Sequence, residues 1–226
     1  MALEKDQPIV DVEEAFSKTE QYIEENKNSL IIIVAAIVLL VGGYFAWKYW
    51  YVAGQESEAQ NEMFMAINYF EKDSLEKAIN GDGENKGFLE IIDQYGVTSA
   101  ANLAEYYLGM SYLKQGKYEE AIEHLEDFDA DDQMIGPIAT GAIGDAHMEL
   151  GHIDEAISFY IKAADQNKNN FTTPIYLKKA ALAYEQKKDY KEAVKIYEKI
   201  KEEFKTTSEG RDMDKYIARA KELEGN

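Results

Sequence analysis

The chain has 226 residues, no cysteine and a formal net charge of −19. It can form neither a disulfide nor a thiolate metal site. An acidic body argues against nucleic acid, whose binding rests on neutralising phosphates, and against lying flat on anionic lipid. Residues 1–51 hold four lysines against eight acids; the other 175 hold twenty cations against thirty-five acids. That is enough chain for one domain with its own core.

Residues 1–28 form an acidic tail. Its first eleven residues contain Pro8 and are expected to be disordered. Residues 12–28 set Val12, Phe16, Tyr22 and Ile23 among charges, which reads as a solvated tail with helical tendency. A membrane span is expected at residues 29–52. From Leu30 to Trp47 there is no charge; Lys48 interrupts, and Tyr49, Trp50 and Tyr51 resume the apolar character. As a helix, residues 30–51 would be roughly 33 Å long, close to the ~30 Å hydrocarbon core of a bilayer. In lipid a helix pairs its backbone groups internally. The aromatic cluster from Tyr44 to Tyr51 suits the headgroup level, where Lys48 can snorkel. A signal peptide would need a basic leader and a small-residue cleavage site, and the leader here is long and acidic. Lys18 and Lys27 precede the span, and after Lys48 the next cation is Lys72. This places the N-terminus in the cytoplasm and the body in the periplasm.

Residues 53–99 are expected to form a long helix and an irregular first hairpin. Ala59, Met63, Ala66, Ile67, Phe70, Leu75, Ala78 and Ile79 keep a helical period, so one helix is expected to reach Ile79. The glycines and polar residues of 80–85 break it. A short helix over 88–95 stops at Gly96, and Thr98-Ser99 can cap the next.

Residues 100–206 repeat themselves. Leu108-Gly109, Tyr112, Gly116, Tyr118, Ala121 and Leu125 return thirty-five residues later as Ile143-Gly144, His147, Gly151, Ile153, Ala156 and Tyr160. Thirty-seven further on come Ala180-Ala181, Tyr184, Lys188, Tyr190, Ala193 and Tyr197. A period of this length marks stacked hairpins. Gly109, Gly144 and Ala181 must be small where two helices cross; Ala121, Ala156 and Ala193 fill the facing slot. Gly116 and Gly151 permit a left-handed turn. A polar helix over about Glu209–Leu223, within residues 207–226, would cap the stack.

These residues resemble tetratricopeptide repeats, with three hairpins over residues 100–206. The third departs from the pattern, since Lys187-Lys188-Asp189-Tyr190 carries no turn glycine. The expected fold is all-α: a single N-terminal transmembrane helix, then a tetratricopeptide-like α-hairpin solenoid. The resemblance implies a groove walled by the first helix of each hairpin. Its residues would be Leu103, Tyr106, Met110 and Leu113, then Ile138, Gly141, Asp145 and Met148, then Ile175, Lys178, Leu182 and Glu185. Such a wall suits an extended peptide or a partner helix more than a metabolite.

No catalytic or metal-binding constellation stands out. His124 lies among acids and reads as surface; His147 fills a packing slot; His152 lies in a turn. Aspartates 127, 129, 131 and 132 share a loop but lack the glycine and terminal glutamate of a calcium loop. Gly81-Asp-Gly83 lacks the strand and Lys-Ser of a phosphate loop. No enzyme activity, cofactor or small-molecule substrate is expected.

The order of tail, span, long helix, repeats and cap resembles the YfgM family of bacterial inner-membrane proteins. That similarity implies an ancillary subunit of the SecYEG translocon, acting with the membrane-anchored chaperone PpiD on unfolded, emerging secretory proteins. The same architecture would also serve a structural or adapter subunit of another envelope machine, in secretion, motility or outer-membrane assembly. A third possibility is an anchored accessory or regulator with its repeats in the cytoplasm.

Overall fold

The computed structural model describes residues 12–129 and 132–225, with side chains from Glu20 onward. The segment 1–11, expected to be disordered, lies outside the described residues, as does Asp131. All regular structure among the described residues is helical. The chain divides into two units, Met1–Ala53 and Gly54–Asn226.

The first unit holds α1 (Val12–Ala46) and a π-helical turn (Trp47–Val52). Residues 12–28 and most of the expected span therefore lie in one continuous helix. No glycine or proline lies between Val12 and Val41, so nothing in the sequence ends the helix there. The side chains of Ile32, Leu39 and Leu40 are more than two-thirds exposed. A helix with apolar side chains on every face is suited to lipid. It is the one helix among the described residues long and apolar enough to cross a membrane.

The second unit begins with α2 (Ala53–Glu71) and α3 (Leu75–Asn80). The single helix expected to reach Ile79 is broken at residues 72–74. Asp73 has φ +57°, its N–H bonds the Phe70 carbonyl, and the Ser74 N–H bonds the Tyr69 carbonyl. This pair of bonds is the Schellman closure of a helix end. Then come α4 (Phe88–Tyr95), α5 (Ser99–Gln115), α6 (Tyr118–Asp127), α7 (Ile135–Glu149), α8 (Ile153–Gln166), α9 (Thr172–Gln186) and α10 (Tyr190–Glu203). The chain ends with α11 (Ser208–Arg211) and α12 (Met213–Glu224), so the C-terminal helix is split at Asp212.

The same closure turns each of the three repeat hairpins. The N–H groups of Gly116 and Lys117 bond the carbonyls of Leu113 and Tyr112; Gly151 and His152 repeat this on Met148 and His147. Lys188 and Asp189 repeat it on Glu185 and Tyr184, with Lys188 at φ +65°. The hairpin without a turn glycine thus adopts the glycine geometry, and Asp189 caps α10 by accepting from the Glu192 N–H. A left-handed lysine costs about 1–2 kcal/mol relative to glycine. Lys188→Gly is therefore expected to raise the melting temperature by roughly 2–5 °C, read by circular dichroism.

Within each hairpin the crossing is tight. A Cβ on Gly109 would lie 2.6 Å from Leu125 Cγ, and one on Gly144 would lie 2.7 Å from the Tyr160 ring. Ala121, Ala156 and Ala193 are fully buried opposite. Between hairpins, ion pairs recur at the repeat spacing. They are Asp145–Lys179, Asp154–Lys187, Lys168–Glu203 and Glu185–Arg219. The last pair carries the spacing into α12. That helix buries Met213 and Ala220 in the same core as α8, α9 and α10. It takes the place that the first helix of a further hairpin would fill.

Candidate functional site

The C-terminal turns of α5, α7 and α9 converge on a cavity of about 460 Å³. Leu113 comes from α5, Asp145, Met148 and Glu149 from α7, and Lys179, Leu182, Ala183 and Gln186 from α9; Tyr118 and Tyr160 close it from the second helices. Lys179 Nζ lies 2.7 Å from both Asp145 carboxylate oxygens. The Tyr160 hydroxyl donates to Asp145 Oδ1 at 2.7 Å. The Lys179 ammonium also stands over the rings of Tyr160 and Tyr176. Burial, and next the Asp145 carboxylate, push both tyrosines well above the ordinary phenol range. The result is a fixed polar floor with an apolar wall of Leu113, Met148 and Leu182, open on one side. A polar floor beside an apolar wall is an arrangement suited to binding.

Four of the residues assigned to the groove from sequence meet here: Leu113, Asp145, Met148 and Leu182. The others do not. Leu103 lines a second, smaller cavity with Met63 and Ile67, where Glu56 accepts from the Ser99 N–H at 2.7 Å and caps α5. Tyr106 packs its ring on Tyr107 and Phe128 and, with Met110, fills the core beside α7. Lys178 lies 4.9 Å over the Tyr216 ring on α12. Glu185 is drawn to Arg219 and to the Tyr197 hydroxyl. Gly141 is a packing position pressed against Tyr176, and Ile175 is partly exposed on α9.

Sequence reasoning missed Lys179, Tyr160, Glu149 and Tyr118. One signal was present, since Asp145 and Lys179 stand one repeat apart. Of the histidines, His124 differs from expectation, while His147 packs and His152 lies in the turn before α8, as expected. His124 is half-buried and stacked on Tyr112, and its Nδ1 lies 2.7 Å from Glu105, which raises its pKa above the usual imidazole value. His147 stacks on Phe159, and burial lowers its pKa. No group of three or more His, Asp or Glu side chains gathers in metal-binding geometry among the described residues.

Comparison with known families matches residues 103–130 and residues 142–206 to tetratricopeptide repeats. These two segments carry tetratricopeptide repeats. Similar solved structures include a putative kinesin light chain of Podosopora anserina with nearly identical tetratricopeptide-like repeats, at 17% identity and a TM-score of 0.57. A single-residue variant of that protein matches at 18% identity and the same score; each match covers 75% of this chain and 88% of the other. At that identity the likeness concerns the fold. Among curated proteins nothing matches. Tetratricopeptide arrays bind other proteins, and the matched segments contain every residue that lines the larger cavity.

Proposed function

We propose that the protein is a membrane-tethered tetratricopeptide scaffold that holds a segment of another polypeptide against the cavity between α5, α7 and α9. The observation that carries this reading is the cavity itself. It pairs a rigid Asp145–Lys179–Tyr160 floor with exposed Leu182 and half-buried Leu113 and Met148. Preformed walls of this kind spare the ordering cost of binding. Anchoring through residues 30–51 raises the effective concentration at the membrane, so weak contacts suffice.

The finer reading follows the resemblance to the YfgM family. The body then stands in the periplasm and the N-terminus in the cytoplasm of a bacterial inner-membrane protein. The partners are SecYEG subunits and PpiD, and the clients are unfolded secretory proteins. In support stand the order of acidic tail, one span and repeats, and Lys18 and Lys27 close before the span against Lys48 at its far edge. Two measurements test it. A phosphatase reporter fused after Asn226 is expected to be active, as only a periplasmic enzyme would be; an inactive reporter puts the repeats in the cytoplasm and ends this reading. Purification in mild detergent is expected to recover translocon subunits and a PpiD-like chaperone. Recovery of outer-membrane assembly components instead would make the protein a subunit of a different envelope machine.

A further inference from the structure

The larger cavity is electronegative for three separate reasons. It lies at the C-terminal ends of three helices, where backbone carbonyls carry partial negative charge. Glu149 is the last residue of α7, an unfavourable place for an acid, and its one polar contact among the described residues is the Tyr118 hydroxyl at 3.5 Å. A carboxylate held against the helix dipole at a cavity rim is a local conflict of the kind that function sustains. Lastly, the nearby lysines do not compensate it. Lys179 is neutralised by Asp145, Lys114 is turned onto Asp73 and Lys187 onto Asp154, while Lys117 lies over the Tyr112 ring. On the α5–α6 side the surrounding charge has the same sign, since residues 54–132 hold five cations against nineteen acids, while residues 133–226 are nearly balanced at fifteen against sixteen.

From this geometry we infer that the groove selects polypeptide segments in which a lysine or arginine lies beside apolar residues. The cation is received by Glu149 and the helix ends, and the apolar side chains by Leu113, Met148 and Leu182. The selection rests on the groove reading above and specifies its chemistry. An acidic segment would bring like charge to Glu149 and to the carbonyls, and is rejected.

The test uses the full chain in nanodiscs of neutral phosphatidylcholine, with empty nanodiscs as the blank. The probes are two labelled peptides, one alternating leucine with lysine and one alternating leucine with glutamate, read by fluorescence anisotropy. The lysine peptide is expected to bind and the glutamate peptide to bind at least about tenfold more weakly. Glu149→Gln is expected to weaken the lysine peptide at least about threefold, while Glu58→Gln, the same charge change on exposed α2, leaves it unaltered. Equal losses in the two variants, or equal affinity for the two peptides, would overturn the selectivity. Leu182→Ser separates the two levels. If it abolishes binding while Glu149→Gln has no effect, the groove stands and its charge preference falls. If neither peptide binds, or Leu182→Ser changes nothing, the groove reading falls as well.

Discussion

Gly141→Ala is expected to destabilise the repeat unit by roughly 2–3 kcal/mol, although alanine is the better helix former. The added Cβ would sit 1.9 Å from Tyr176 Cε1 and 2.3 Å from Cζ, inside the ring. Tyr176 is buried, so its ring cannot swing into solvent without opening the contact between α7 and α9. The melting temperature of the full chain in detergent should fall by about 5–10 °C. A second substitution, Tyr176→Ala, removes the obstacle. The double variant should lose less than the sum of the two single losses, because the residues touch. Strict additivity would mean that the crossing of α7 and α9 is not as described.

The repeat unit should also lose stability in alkali, above the ordinary phenol pKa of about 10. Burial foremost, with Asp145 and Glu185 next, pushes the phenols of Tyr160, Tyr176 and Tyr197 far above their ordinary range. A tyrosine whose folded pKa exceeds its unfolded value of about 10 keeps its proton in the folded state and loses it in the unfolded one. Its contribution is complete below pH 10 and is lost as pH climbs toward the folded value. With three such groups the loss is up to about 4 kcal/mol by pH 11. Circular dichroism and tyrosinate absorbance, followed together, check this. The helical signal and the last tyrosinates should change in one step. Tyrosinates that all appear near pH 10 with the helices intact would contradict the burial of these rings.

The stack of hairpins was legible because its geometry forces particular residues. Helices that cross closely admit only Gly109, Gly144 or Ala181, and the period between these small residues measures the repeat. The helix end at residues 72–74 was hidden because Ala78 and Ile79 continue the apolar period across it. The polar run Lys72-Asp73-Ser74 was the sign, and Asp73 tolerates the left-handed turn. Eight of the twelve groove residues read from sequence lie away from the larger cavity, for a related reason. An idealised repeat points Tyr106 and Lys178 outward, yet each has an aromatic neighbour from another element, Phe128 and Tyr216. Phe128 closes the same hairpin as Tyr106, whereas Tyr216 lies beyond the hairpin of Lys178, where no spacing rule inside one hairpin can foresee it. Asp145 and Lys179, by contrast, are joined by the repeat itself. In the larger cavity the first helices end together, so its lining follows from the stacking of the hairpins and not from any motif.

The central claim is that this side of the repeats holds a polypeptide. It is tested most directly by placing a photoreactive phenylalanine at Leu182 or, for comparison, at exposed Lys195 on α10 of the same hairpin. Cells carrying the full-length protein are irradiated, and the adducts are sequenced. The account predicts adducts at residue 182 that map to extended, lysine- or arginine-bearing segments of other proteins, with few at residue 195. Equal yields at the two positions, or none at residue 182, would contradict it.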